Sequence, residues 1–274
     1  MRRVRRPHWP KAPSVRGRAL LALLALSAAT ACSSPAAGVP DSELRLVVAD
    51  SCAALAGRLA QAYEQERPGV DVEIDVFNSG VAAQRLRDGN ADLALISWLD
   101  RGRDADGIWT HDFAPQAVAV IVHPSLPLEE TELDQLRAVF QAQLQELDGQ
   151  QLQPVSREEG AGIRAFFEWI VLGSDSVAQT AIVMPSSQSV VEYVGRSPGA
   201  VGYVSTTELG EPANANVRVL RMRDVLPSAA AASDGSYPLA NRLWMATVGE
   251  PRGEAREFAQ WLLGPGGQGV IWDE

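Results

Sequence analysis

Cysteine is nearly missing from this chain, with Cys32 and Cys52 the two examples in 274 residues. A disulfide scaffold is excluded, and no His/Cys cluster at ligand spacing suggests a metal or other cofactor. Histidine is equally scarce. Past the first 31 residues only His111 and His123 remain, and no G-x-S-x-G elbow accompanies them, so no enzyme is expected. His111-Asp112 reads as a surface pair and His123-Pro124 as a strand end. Long apolar runs are also lacking. The longest stretch of apolar and small residues, Ala19–Ala31, is thirteen residues, short of the about 20 a membrane-spanning helix needs. Positive charge is in deficit as well, 24 Lys and Arg against 34 Asp and Glu. Seven of those cations (Arg2, Arg3, Arg5, Arg6, Lys11, Arg16 and Arg18) precede residue 32, leaving 17 cations against all 34 anions in the rest. So acidic a body repels polyphosphate backbones and excludes nucleic acid as a partner. What the chain does have is 46% hydrophobic residues, enough for one large core or two small ones.

The basic start, the short apolar stretch and the small residues before Cys32 read as a secretory signal over residues 1–31. The placement of Cys32 after Ala29-Thr30-Ala31 resembles a bacterial lipoprotein signal, with Ala29 where Leu is usual. The resemblance implies an acylated Cys32 as mature N-terminus, holding the protein at a membrane surface through lipid alone, on the periplasmic or outer side. Ordinary secretion with an incidental Cys32 is the alternative. Residues 32–42, with Ser33–Pro40 small and polar, form a tether.

Beyond the tether, strand and helix patterns alternate. Leu44–Ala49 has strand length, and Ala53–Glu66 sets Leu55, Leu59, Ala62 and Tyr63 on one helical face. Val72, Ile74 and Val76 alternate with acids, Val81–Asp88 reads as a helix, and Ala91–Ile96 as a buried strand. A second unit starts at Ala117–Val122. It continues with a helix over Thr131–Leu144, which Thr131 and Asp134 open as a capping box, and with strand-like Gln153–Ser156. Helices at Ile163–Leu172 and Ser189–Gly195 and a strand at Ala200–Val204 complete it. Strand-like Val217–Leu220 and Arg242–Val248 and a helix at Glu254–Leu263 end the chain, with Ser228–Ser233 a loop and Arg218–Arg223 a solvated strand face. This order implies parallel sheets covered by helices, with ligands where strand ends meet helix starts.

Three such junctions carry small polar residues or glycine: Asp50-Ser51-Cys52, Asn78-Ser79-Gly80, and Arg157 through Gly162. Each offers free backbone N–H groups and a positive helix end, and Arg157 adds a planar fork suited to an oxyanion. Singly, each reads more simply as a helix cap by Ser51 or Ser79, or as a tight turn; their repetition favours an anion cradle. Gly160-Ala161-Gly162-Ile163-Arg164-Ala165 also fits G-x-G-x-x-A, but no acid follows about 20 residues on, so a dinucleotide is not expected. Cys52 reads as a buried small residue, with a reactive thiol at a helix start as the alternative. Trp98 and Trp109 suit a cleft mouth, and Trp244, Trp261 and Trp272 a core.

From Leu44 to Ile271 the chain resembles the phosphate-type substrate-binding proteins of ABC transporters, within the type II periplasmic-binding-protein fold. The resemblance is carried by LAQAYEQERPGVDVEI (Leu59–Ile74), NSG (Asn78–Gly80), GNADLALIS (Gly89–Ser97), AVAVIVHPSLPL (Ala117–Leu128), TELDQLRAVF (Thr131–Phe140), PVSREEGAGIRAFFE (Pro154–Glu168), SPGAVGYVS (Ser197–Ser205) and GPGGQGVI (Gly264–Ile271). It implies an α/β fold of two lobes, each a mostly parallel sheet flanked by helices, joined by two crossovers. The lobes would comprise residues 43–116, 117–205 and a return segment 206–274, the second crossover lying near the GYVS strand. It further implies a monomer that grips a small oxyanion, phosphate first, at Ser51, Ser79, Gly80, Ser97, Arg157, Gly160 and Gly162, and offers it to an ABC permease. A sensing or partner-binding module built on the same cleft is the alternative. Asp50, Ile96, Ala161 and Ile163 stand where the family commonly has hydroxyls, and Trp98 where Arg is frequent. Each missing charge-assisted hydrogen bond is worth about 1.5–3 kcal/mol, roughly one to two decades of affinity.

Overall fold

The computed structural model describes residues 42–99, 106–209 and 216–273. The leader, Cys32 and the tether fall almost wholly outside these residues. The first unit runs β1 (Ser42–Ala49), α1 (Ala53–Glu66), β2 (Val70–Phe77), α2 (Ser79–Arg87) and β3 (Leu93–Ile96). A long strand, β4 (Ile108–Val122), leads to α3 (Leu133–Phe140), the small hairpin β5 (Glu146–Leu147) and β6 (Gln150–Gln151), and β7 (Gln153–Arg157). Then come α4 (Gly162–Phe167) with a π-helical turn at Glu168–Leu172, β8 (Ile182–Met184), α5 (Ser187–Arg196) and β9 (Ala200–Ser205). The chain closes with β10 (Arg218–Val219), α6 (Ala229–Ser233), β11 (Ala240–Val248), α7 (Gly253–Leu263) and α8 (Pro265–Trp272).

The strands follow the order β2-β1-β3-β11-β4-β9-β7-β8. Each end of that path is a parallel trio, β2-β1-β3 on one side and β9-β7-β8 on the other. Antiparallel β11 and β4 join them. Strand β4 is shared: Ile108–Ala117 pairs with β11, and Val118–Val122 with β9. Its AVAVIV run explains the second half. Val118, Val120 and Val122 face one core and Ala119 and Ile121 another, so both sides of the pleat are buried. The first lobe's core gathers Leu46, Val48, Leu59, Tyr63, Leu95 and Phe258. In the second, Phe167 stacks on Tyr203 with ring centroids 4.0 Å apart.

Several sequence expectations are corrected. The helix expected over Thr131–Leu144 spans only Leu133–Phe140, and no side chain caps it. Thr131 Oγ1 instead donates to Gln135 Oε1 at 3.1 Å, so there is no capping box. Ser79 is the first helical residue rather than a cap; Asn78 Oδ1 caps α2 by accepting from the Val81 N–H at 2.9 Å. Ser51 lies inside a 3-10 turn (Asp50–Cys52) and caps nothing. The Ala-rich Ser228–Ser233 loop is mostly the helix α6, with Ser228 as its cap. Trp272 is 48% exposed rather than core, and Trp244 and Trp261 are partly buried against the first core. The return to the first lobe, expected from residue 206, comes later by packing. Leu220, Met222, Tyr237 and Leu239 belong to the second core, and the chain crosses back at β11.

Candidate functional site

Loops at the C-terminal ends of β1, β2, β3 and β7 converge on one seam. Ser51, Ser79 and Ser97 are all buried there. Ser51 Oγ donates to Ser97 Oγ at 2.8 Å, and Ser79 Oγ lies 3.3 Å from Ser97 Oγ. From the other lobe, Gly162 presses against this trio so closely that a methyl group on it would overlap the Ser79 and Ser97 hydroxyls. The Gly80 N–H donates to the Gly160 carbonyl at 3.0 Å. Gly160 itself sits at φ +88°, beside the Asn78 side chain, where a side chain would be strained. The residues of the three junctions are therefore brought together. The G-x-G-x-x-A glycines are engaged with Asn78 and the serines, leaving no room for a pyrophosphate against Gly162.

Arg157 ends β7 and is wholly buried. Its guanidinium holds two carboxylates at once. Nη1 and Nη2 donate to Asp50 Oδ2 and Oδ1 at 2.8 and 2.9 Å, and Nε and Nη2 to Glu158 Oε2 and Oε1 at 2.9 and 3.0 Å. Nη1 also donates to Ser187 Oγ at 3.0 Å, and Nη2 makes a longer contact of 3.4 Å to the Pro185 carbonyl. Burial pulls the Arg157 pKa down, but the two carboxylates outweigh it and raise it above the usual value. The fork stays charged. Asp50 Oδ2 accepts as well from the Ser187 N–H and hydroxyl, both at 2.9 Å, at the first residue of α5. The arrangement is a complete oxyanion cradle: a bidentate guanidinium, a helix N-terminal N–H and a hydroxyl on one carboxylate.

Sequence reading missed Ser187, Glu158 and Asp50 as partners of Arg157. It also missed a buried amide pair on the crossover strands. Gln116 Nε2 donates to the Ser51 carbonyl at 3.0 Å and to Ser205 Oγ at 2.9 Å. Asn241 Nδ2 donates to the Ser97 carbonyl and to Gln116 Oε1, each at 3.0 Å. The legible signal was an amide bordering an apolar run in each of two strands, Gln116 before Ala117–Val122 and Asn241 close to Leu243–Ala246, since a buried amide must find partners. A cavity of about 730 Å³ lies alongside, walled by Trp98, Phe166, Trp169 and Trp244. Trp98 thus lines an opening as expected, whereas Trp109 packs against the His111 ring. Ala161 and Ile163 are buried in the second core and contribute no polar side-chain group.

Comparison with known proteins places the fold. The family model of the PBP superfamily domain matches residues 33–265. The phosphate-binding protein PstS of Bacillus subtilis (strain 168) is 26% identical over 211 residues, covering 74% of this chain and 69% of that protein. A structure from Clostridium perfringens, described as a phosphate ABC transporter substrate-binding protein with bound phosphate, superposes with a TM-score of 0.77 at 19% identity. It covers 84% of this chain and 96% of the other. An ABC-type phosphate transport receptor from Vibrio cholerae gives a TM-score of 0.68 at 22% identity, covering 83% and 96%.

Proposed function

This chain belongs to the PBP superfamily, and from that premise we propose that it captures a small oxyanion, phosphate first, outside the cytoplasm for an ABC importer. It acts by binding and not by catalysis. The observation that carries the reading is the wholly buried Arg157, already gripping an oxyanion, the Asp50 carboxylate, together with the N–H and hydroxyl of Ser187. A phosphate oxygen presents the same acceptors to the same donors. The Ser51, Ser79 and Ser97 hydroxyls and the Gly80 backbone face that fork's lobe across the seam and, with Gly160 and Gly162 on the loop that follows Arg157 in that lobe, complete the proposed contact set. The kinship with phosphate-binding relatives supports the choice of ion. Cys32, outside the described residues, carries the acyl anchor in this reading, and an ABC permease takes the solute from a monomeric protein.

Thermal unfolding of the chain lacking residues 1–31, with phosphate, sulfate, molybdate or a phosphonate, tests this. A ligand at a hundred times its dissociation constant stabilises the fold by about 2.7 kcal/mol. That corresponds to a melting shift of roughly 5–10 °C for a chain of this size. Phosphate should give the largest shift. No shift with any anion overturns the reading. One observation favours a second reading, a sensing or partner-binding module: the fork already has a carboxylate from its own chain. Stable capture of a protein partner with no anion-dependent shift would select it.

A further inference from the structure

We infer that Asp50 is the specificity-determining residue of the cleft: a built-in ligand that holds the Arg157 fork, latches the two lobes and competes with any incoming oxyanion. Asp50 follows β1 in the first lobe, while Arg157 ends β7 and Ser187 opens α5 in the second. The pair therefore crosses the seam, 107 residues apart in sequence. A guanidinium has five N–H donors, one on Nε and two on each terminal nitrogen. Here Nε faces Glu158, Nη1 is divided between Asp50 and Ser187 Oγ, and Nη2 between Asp50 and Glu158. No donor is left over. An oxyanion reaches this fork only by replacing a carboxylate, and the two carboxylates differ in how firmly they are placed. Glu158 is the next residue in the chain and stays beside Arg157 however the lobes move. Asp50 belongs to the opposite lobe and leaves when they part.

The exchange is close to symmetrical in chemistry. Asp50 takes the bidentate fork, the Ser187 N–H and the Ser187 hydroxyl, which are the groups a solute oxyanion would take. Binding thus trades one set of charge-assisted hydrogen bonds for another, and the apparent affinity is reduced by the fraction of molecules that are latched. A carboxylate that lingers near the displaced position also repels a dianion, which discriminates against highly charged solutes. The Asp50 side chain is 17% exposed, so solvent and solute reach it. A hydroxyl side chain at this position would leave two guanidinium donors for the solute.

The competition arm of this inference rests on the oxyanion reading; the latch arm does not. Asp50→Ser in the mature chain leaves Arg157 paired with Glu158, so no buried charge is stranded, and the isosteric Asp50→Asn serves where the serine variant is unstable. Solution X-ray scattering without added anion should show the wild type compact and Asp50→Ser with a larger radius of gyration. Calorimetric titration with inorganic phosphate should give Asp50→Ser roughly 10- to 100-fold tighter binding than the wild type. A variant as compact as wild type that binds phosphate no more tightly overturns the inference and leaves the phosphate reading standing. Opening of the variant while neither protein binds phosphate supports the latch and removes the phosphate reading.

Discussion

Arg157 shows at the scale of one residue why buried charge is tolerated here. A guanidinium out of water is costly unless its donors are met, and removing one partner of such a pair typically costs about 3–5 kcal/mol. Two carboxylates, a hydroxyl and a carbonyl meet them. Cys52, two residues from Asp50, is the opposite case. Its thiol is buried and donates to the Ala49 carbonyl at 3.3 Å. Burial, and then the nearby Glu208 and Asp50 charges, push its pKa well above the ordinary value. The thiolate that reacts with disulfide reagents is therefore suppressed. In the chain lacking residues 1–31 and carrying Cys32→Ser, native protein should leave a thiol reagent unconsumed over the time in which the denatured chain reacts fully, as measured by the released chromophore. Rapid native reaction would contradict this burial and return Cys52 to the reactive alternative.

Elements meet at the seam through glycine, and two glycines should respond with opposite signs. Gly162 begins α4 with no space for a Cβ against Ser79 and Ser97. Gly162→Ala should lower stability by about 1–3 kcal/mol, the usual cost of overpacking, and weaken any anion-dependent shift. Gly57, in the interior of α1, has open space around the position of a Cβ. Gly57→Ala should raise stability by roughly 0.5–1 kcal/mol through helix propensity alone. Denaturant melts of both variants check the pair. Equal effects would mean that the lobes do not meet at Gly162 as described. The helix and strand order was largely legible, because Leu55, Leu59 and Tyr63, or Val72, Ile74 and Val76, carry their period locally. The first half of β4 was not. Residues such as Thr110, His111 and Asp112 break the apolar pattern, and their extended form follows from pairing with β11.

At the scale of the whole molecule, Glu208 ties stability to pH. It lies in the turn after β9 and accepts from the Ala54 N–H at the start of α1, at 3.0 Å. Burial first, with the Asp50 charge adding, raises its carboxyl pKa to about 7. The folded state then binds a proton between the ordinary value of 4.5 and 7 that the unfolded chain has released. Its contribution is present below pH 4.5 and is lost as the pH climbs through 7. Melting temperature should fall from pH 5 to 7.5 in the wild type, and Glu208→Gln should flatten that slope. An unchanged slope in the variant would show that the carboxyl is not held as described.

Local pattern determined the alternating strands and helices, the acidic body, and the serines, glycines and arginine at strand ends, because periodicity and turn chemistry act over a few residues. Those residues did mark the seam. Tertiary structure alone decided what Arg157 holds. Asp50 is remote along the chain, and whether its carboxylate faces solvent or the fork depends on how two separately built lobes come together. The same holds for Gln116, Asn241 and Ser187: each is an ordinary polar residue in its own segment and acquires its partner only when another segment arrives.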